Sequence, residues 1–133
     1  MKKILLKLLL LVSFIISGTA IAAEFPNNAS VNIPGLGNFT LLKKGMDNNG
    51  AIYELKHTSN KYLMATSGNE GEKVQFGSTP TQWVLHKNST GWSIIAAANK
   101  ANTVARVDNG KGGKEWVLQR NQGTPNQVWQ IRQ

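Results

Sequence analysis

Cysteine is missing from all 133 residues. That excludes disulfide stabilisation, which small exported domains often use, and with it a thiolate nucleophile or thiolate metal site. A lipid anchor on a leader cysteine is excluded as well. Histidine is scarce, with two residues (His57 and His86), and neither sits in a motif with a carboxylate. No G-x-S-x-G, H-E-x-x-H or G-x-x-x-x-G-K-[ST] pattern occurs. Gly110-Lys111-Gly112-Gly113-Lys114 has neither the spacing nor the following Ser/Thr of a phosphate loop and reads as a hairpin turn. The acidic residues Glu54, Glu70, Glu72, Asp108 and Glu115 are spread among turns and exposed faces, not gathered as the paired carboxylates of a glycosidase. The expectation is a binding protein, not an enzyme, with no metal and no cofactor.

A long apolar run is present only at the start. Met1-Lys2-Lys3 is followed by an apolar stretch from Ile4 to Ile16, interrupted by Lys7 and Ser13, and then by small residues ending in Ala20-Ile21-Ala22. This is the layout of a secretory signal peptide over residues 1–22. The apolar stretch is shorter than the roughly 20 residues a bilayer requires. Nothing after Ala23 is apolar for that long, so no integral membrane segment is expected once the leader is cleaved. The expected destination is the periplasm or the exterior.

Fifteen Lys and Arg stand against seven Asp and Glu. Lys2, Lys3 and Lys7 leave with the leader, which lowers the formal charge from +8 to +5. A modest positive charge favours encounter with acidic surfaces. The basic residues are scattered along the chain without a basic block or a nucleic-acid motif, which argues against nucleic acid as a partner.

Beyond the leader the chain shows no helical periodicity. Short apolar runs alternate with clusters of Gly, Asn, Ser and Pro at 34–35, 45–50, 58–60, 67–71, 88–91, 109–113 and 122–126. Turn signals at such regular, close spacing indicate an all-β sandwich or barrel. The runs between them predict strands over 30–33, 39–43, 52–56, 62–65, 73–76, 83–86, 93–97, 104–107, 116–119 and 128–132. Tyr53 and Leu55 share one strand face, and so do Trp129 and Ile131, the pattern of strands with one buried side.

An internal repeat is the most informative feature. Residues 52–77 lie over 94–119 at a shift of 42 without a gap, which superposes Tyr62-Leu63-Met64-Ala65 on Val104-Ala105-Arg106-Val107. With three extra residues, Thr79-Pro80-Thr81-Gln82 meets Thr124-Pro125-Asn126-Gln127, and one more brings Trp83 to Trp129. Phe39/Leu41, Trp83/Leu85 and Trp129/Ile131 then form three aromatic-led strands expected to share one core. The units run over about 52–91 and 92–133, and a shorter first unit begins near residue 38 after an N-terminal segment, 23–37, with one short strand.

The segment Asn126-Gln127-Val128-Trp129 resembles the Gln-x-Trp repeat of the ricin B-type lectins, over roughly residues 39–133. The middle unit departs from it, with Thr81-Gln82-Trp83, and the first has Phe39. The resemblance implies a small β-trefoil-like barrel of hairpin repeats whose first repeat is incomplete. It also implies a carbohydrate-binding (lectin-like) function. In that family a sugar site combines an aspartate on the second strand, an aromatic platform near the third, and an asparagine beside the Gln-x-Trp. Asn126 and Gln127 match. The aspartate position holds Arg106 in the last unit and Met64 in the middle one, with Asp108 two residues further on. The platform position holds Gln119 and Gly77.

The ligand pocket expected from this combination is shallow and is built from Asp108, Asn109, Trp116, Asn126 and Gln127. Trp83 and Trp129 are expected in the core. The Gln127 amide is expected to bond backbone within its own unit. Trp116 is expected either to pack inward like Val74 or to stack on a sugar. The alternative function is a protein-binding subunit or inhibitor on the same scaffold, so the expected partner is a glycan or a protein.

Overall fold

The computed structural model describes residues 24–133; the expected leader over 1–22 lies outside them. The described residues form nine strands: β1 (Ala29–Ile33), β2 (Gly37–Asp47), β3 (Gly50–His57), β4 (Tyr62–Met64), β5 (Lys73–Gly77), β6 (Gln82–Lys87), β7 (Trp92–Ala96), β8 (Asn102–Asp108) and β9 (Lys114–Arg120). They contain no α-helix, and no helix long and apolar enough to cross a membrane. Every pairing is antiparallel. The order β3-β4-β5-β9-β8-β7-β6 returns to β3 through a β3–β6 pairing, which closes a seven-stranded barrel. β1 and β2 extend the sheet from β3.

A second circuit of pairings runs through the C-terminal residues. Trp92 and Trp129 exchange both backbone bonds at 2.8 and 2.9 Å, and Asn32 and Arg132 do so at 2.7 and 2.9 Å. Residues 129–132 therefore bridge β7 to β1. The chain passes from β1 to β2 through a turn at residues 34–36. By contrast, the hairpins β4–β5 and β8–β9 stand between β3 and β6 and between β7 and the C-terminal residues.

The strands arise where the sequence alternates. Ala29, Val31 and Ile33 of β1, Phe39 and Leu41 of β2, and Ala51, Tyr53 and Leu55 of β3 are buried, while their neighbours, Gly50 apart, are exposed or half-buried. All three aromatic-led segments enter one core: Phe39, Trp83 and Trp129 are almost completely buried and belong to a single apolar cluster with Leu41, Leu85 and Ile131. Each indole is satisfied there. Trp83 Nε1 donates to Leu63 O at 2.9 Å and Trp129 Nε1 to Val104 O at 3.0 Å.

Three expectations change. The run 128–132 is not a continuous strand; a 3-10 turn at Pro125–Gln127 feeds it, and only Trp92↔Trp129 and Asn32↔Arg132 pair. The 45–50 cluster is a tighter turn than its composition implies. β2 runs to Asp47, whose carboxylate accepts the Asn49 N–H at 3.0 Å, and β3 starts at Gly50. The segment 23–37 carries its one short strand as β1 and, from residue 24 on, adds Phe25, Ala29, Val31 and Ile33 to the core. The repeat also slips by one residue in its second strand. Leu63 O and Val104 O receive the equivalent indoles, so β4 and β8 correspond at a shift of 41, and Arg106 answers to Ala65 and not to Met64. The next pair of bonds agrees: Thr81 Oγ1 donates to Ala65 O at 3.4 Å, and Asn126 Nδ2 donates to Arg106 O at 3.2 Å.

Candidate functional site

The C-terminal unit is organised around a buried amide. Gln127 is 1% exposed. Its Oε1 accepts the N–H groups of Gln122 and Gly123 at 2.9 and 3.1 Å, and its Nε2 donates to Arg120 O at 2.9 Å and Gln119 Oε1 at 3.2 Å. A buried amide so bonded holds the end of β9 against the 3-10 turn. Pro125 at the start of that turn needs no backbone donor there, which suits its fixed φ. Asn126 is half-buried; its Oδ1 accepts the Thr124 hydroxyl at 2.6 Å, and its Nδ2 donates to Arg106 O and Gln119 Oε1.

Arg106 lies where these elements meet. Its guanidinium carbon is 4.2 Å from the centroid of a Trp129 ring, within the range of a cation–π contact. Its Nη2 donates to Val128 O at 3.0 Å and to Pro125 O at 3.4 Å. The side chain is thus fixed by a ring below and two carbonyls beside it. None of the four ion pairs among the described residues includes it; those join Lys43–Glu24, Lys44–Glu54, Lys73–Glu115 and Lys100–Asp47.

Arg106 forms part of an open groove of about 660 Å³, with Pro34, Pro125 and Val128 as apolar lining and Thr90 and Gln130 as further polar lining. Gln130 Nε2 donates to Thr90 O at 2.9 Å and ties two sides together. A second groove, about 480 Å³, lies at the equivalent place in the middle unit, lined by Ala65, Thr79, Pro80 and Thr81. By the corrected correspondence, Ala65 stands for Arg106 and Pro80 for Pro125. The second groove has no charged lining residue.

None of the five residues expected to form the pocket lines the larger groove. Asp108 and Asn109 are exposed and shape the glycine-rich turn. Asp108 Oδ1 accepts Gly110 N–H at 2.9 Å, and Asn109 Oδ1 accepts Lys111 and Gly113 N–H at 2.7 and 3.2 Å. Such side-chain caps are the usual chemistry of a tight turn. Trp116 is half-buried against the core and meets Phe76 edge-on, with centroids 5.8 Å apart and planes at 70°. Asn126 reaches the groove only through its bond to Arg106 O. Gln127 has no face toward solvent. The structure brings Asn126 and Gln127 together with Arg106, while Asp108, Asn109 and Trp116 serve the turn and the sheet.

In the sequence Pro34 and Thr90 register only as turn residues, and Val128 and Gln130 only as positions in a strand, so nothing marks them as groove lining. Arg106 did stand at a marked position, but it registered there as the loss of an aspartate.

Among the described residues, the remaining titratable side chains are mostly engaged in turns and packing. His57 Nδ1 lies 2.9 Å from Ser59 Oγ and accepts the Ser59 N–H at 3.1 Å, which makes the pair a turn cap. The His57 ring packs on Phe39 and Phe76. His86 Nδ1 bonds Asn49 O at 2.6 Å. Among the described residues no group of three or more His, Cys, Asp or Glu is gathered to hold a metal. Glu72 is a staple. Partial burial opposes its ionisation, but the backbone and hydroxyl of Ser67 and the N–H groups of Thr66 and Gly68 outweigh it and hold its carboxyl below the ordinary value. Compared with known proteins, the chain matches no family model, no curated protein and no solved structure.

Proposed function

We propose that the mature chain is an exported carbohydrate-binding, lectin-like module on a β-trefoil scaffold of the ricin B type, with the groove beside Arg106 as its binding site. The scaffold reading is supported by the circuit β1-β2-β3-β6-β7 and residues 129–132. It makes three up-and-down units, two of them carrying a hairpin and the first reduced to a turn. The observation that carries the functional reading is the recurrence of one groove in two successive units, each time beside a Thr-Pro-x-Gln segment. Core packing alone does not require a concavity at the same place in both.

The larger groove has the mixed lining that sugars use, with apolar carbons for the ring face and a few fixed polar groups for hydroxyls. The site moves from the turn at 108–113 to the surface between β8 and the 3-10 turn, and Gln127 becomes its support. The reading assigns no catalytic group.

The test is a glycan array probed with protein recovered after export of the full chain, its N-terminus sequenced. A mature start at residue 23 or 24 and binding to a restricted glycan set, weakened by Val128→Asp, is the expected result. Silence across the array, with a protein partner recovered from the producing cells, would replace this reading with the protein-binding one.

A further inference from the structure

Resting on the carbohydrate reading above, we infer that the larger groove selects an anionic sugar, one whose ring carries a carboxylate, and that Arg106 is the residue that reads the charge. Arg106 is the one charged side chain among the lining residues. It is half-buried, and among the described residues no carboxylate pairs with it. Its fixed contacts, the Trp129 face and the Pro125 and Val128 carbonyls, are neutral groups that orient the guanidinium without cancelling its charge. A partly desolvated charge interacts more strongly with an opposite charge than one in bulk water.

The planar fork suits a carboxylate, which it can meet with two parallel N–H···O bonds. Only Nη2 is engaged by the protein among the described residues. The side chain is held before any ligand arrives, so little rotamer entropy remains to be lost on binding.

The second groove is a built-in comparison. It has the same backbone construction, with Thr81 bonded to Ala65 as Asn126 is to Arg106. Alanine there leaves it without charge. One anionic site per chain is therefore expected, not two. The polar neighbours Thr90 and Gln130 would take sugar hydroxyls, while Pro125 and Val128 lie against ring carbons.

Titration calorimetry on the exported full-chain protein tests this with four probes: an oligogalacturonide, a neutral galacto-oligosaccharide, a sulfated oligosaccharide and inorganic phosphate. The oligogalacturonide is expected to bind at one site per chain and to weaken as salt rises. Arg106→Ala should weaken it about tenfold or more, and Arg106→Lys, which keeps the charge but loses the fork, by less. Thermal melting and near-ultraviolet circular dichroism establish that both variants are folded, and the lysine variant carries the comparison if the alanine variant is not.

Equal affinity for the neutral sugar, or folded variants that bind the oligogalacturonide unchanged, would overturn the inference and leave the lectin reading intact. A preference for the sulfated probe, dependent on Arg106, would keep the anionic site and overturn the carboxylate. Phosphate binding as tightly as any sugar would overturn sugar selection. No binding of any glycan would overturn the function reading itself.

Discussion

Arg106 sits on Trp129, its guanidinium carbon 4.2 Å from the ring centroid, although 22 residues separate them in the chain. The contact joins β8 to the C-terminal residues at the point where the bridge to β7 begins. Arg106→Ala should lower stability by about 1–2 kcal/mol, the combined scale of a partly desolvated cation–π contact and hydrogen bonds from a charged donor. Urea denaturation monitored by tryptophan fluorescence checks this. Arg106→Lys is expected to lose less, since its charge remains over the ring.

Gln127 is the centre of the C-terminal unit. Gln127→Ala removes the acceptor for two N–H groups and the donor for Arg120 O, and should cost about 1–2 kcal/mol, because those partners lie in exposed residues and water replaces part of what is lost. The hydrogen-exchange protection of the Gln122 and Gly123 amides should fall more than that of β2 or β3. Equal loss everywhere would mean that Gln127 only fills space.

Gly91 is required for close approach and not for its backbone angles. A Cβ there would stand 2.7 Å from Trp129 O and 2.8 Å from Val128 Cγ1. The strand bridge Trp92↔Trp129 holds the Trp129 carbonyl, which accepts the Trp92 N–H at 2.8 Å, so that atom is not free to withdraw. Gly91→Ala should lower stability by about 2 kcal/mol or more, the scale of overpacking at a fixed contact, and should shift the Trp129 indole resonance.

Two groups set opposite pH limits. Glu72 has its carboxyl held below the ordinary value, so its contribution is complete above the unfolded value of about 4.3 and is lost as pH falls through the native one. Glu72→Gln should flatten the acid limb of the stability profile. Tyr53 is displaced the other way. Burial pushes its hydroxyl above the ordinary value, against smaller opposing contributions from the Phe25 backbone and from Lys43. Its contribution is complete below the unfolded value of about 10 and is lost as pH rises through the native one. The hydroxyl donates to Phe25 O and accepts Phe25 N–H at 2.8 Å. Tyr53→Phe should therefore cost about 1–2 kcal/mol and remove the alkaline transition. Thermal melts from about pH 3 to about pH 11 check both.

The strand pattern was legible in the sequence because its causes are local. Alternation in 52–56 and glycine or asparagine at 48–50, 68–71 and 109–113 act over a few residues, and nine expected strands formed where that pattern placed them. The core roles of Phe39, Trp83 and Trp129 were legible as well, because each leads an apolar run that has no other place to bury a ring. Gln127 was legible for a related reason, since an amide beside a buried tryptophan must find backbone partners.

The groove beside Arg106 was not legible. Asp108 and Asn109 resemble ligand residues in type, but a glycine turn uses the same carboxylate and amide groups as caps. The repeat aligned cleanly at 42, yet β4 and β8 correspond at 41, because a short loop absorbs the slip without leaving a mark in composition.

The sequence by itself determined the strands, the turns and the aromatic interior of this protein, since periodicity and turn chemistry are properties of neighbouring residues. Only the tertiary structure decided that Arg106 faces a groove beside Trp129 and Val128, because that contact exists only once the C-terminal residues have closed against β7 and β1.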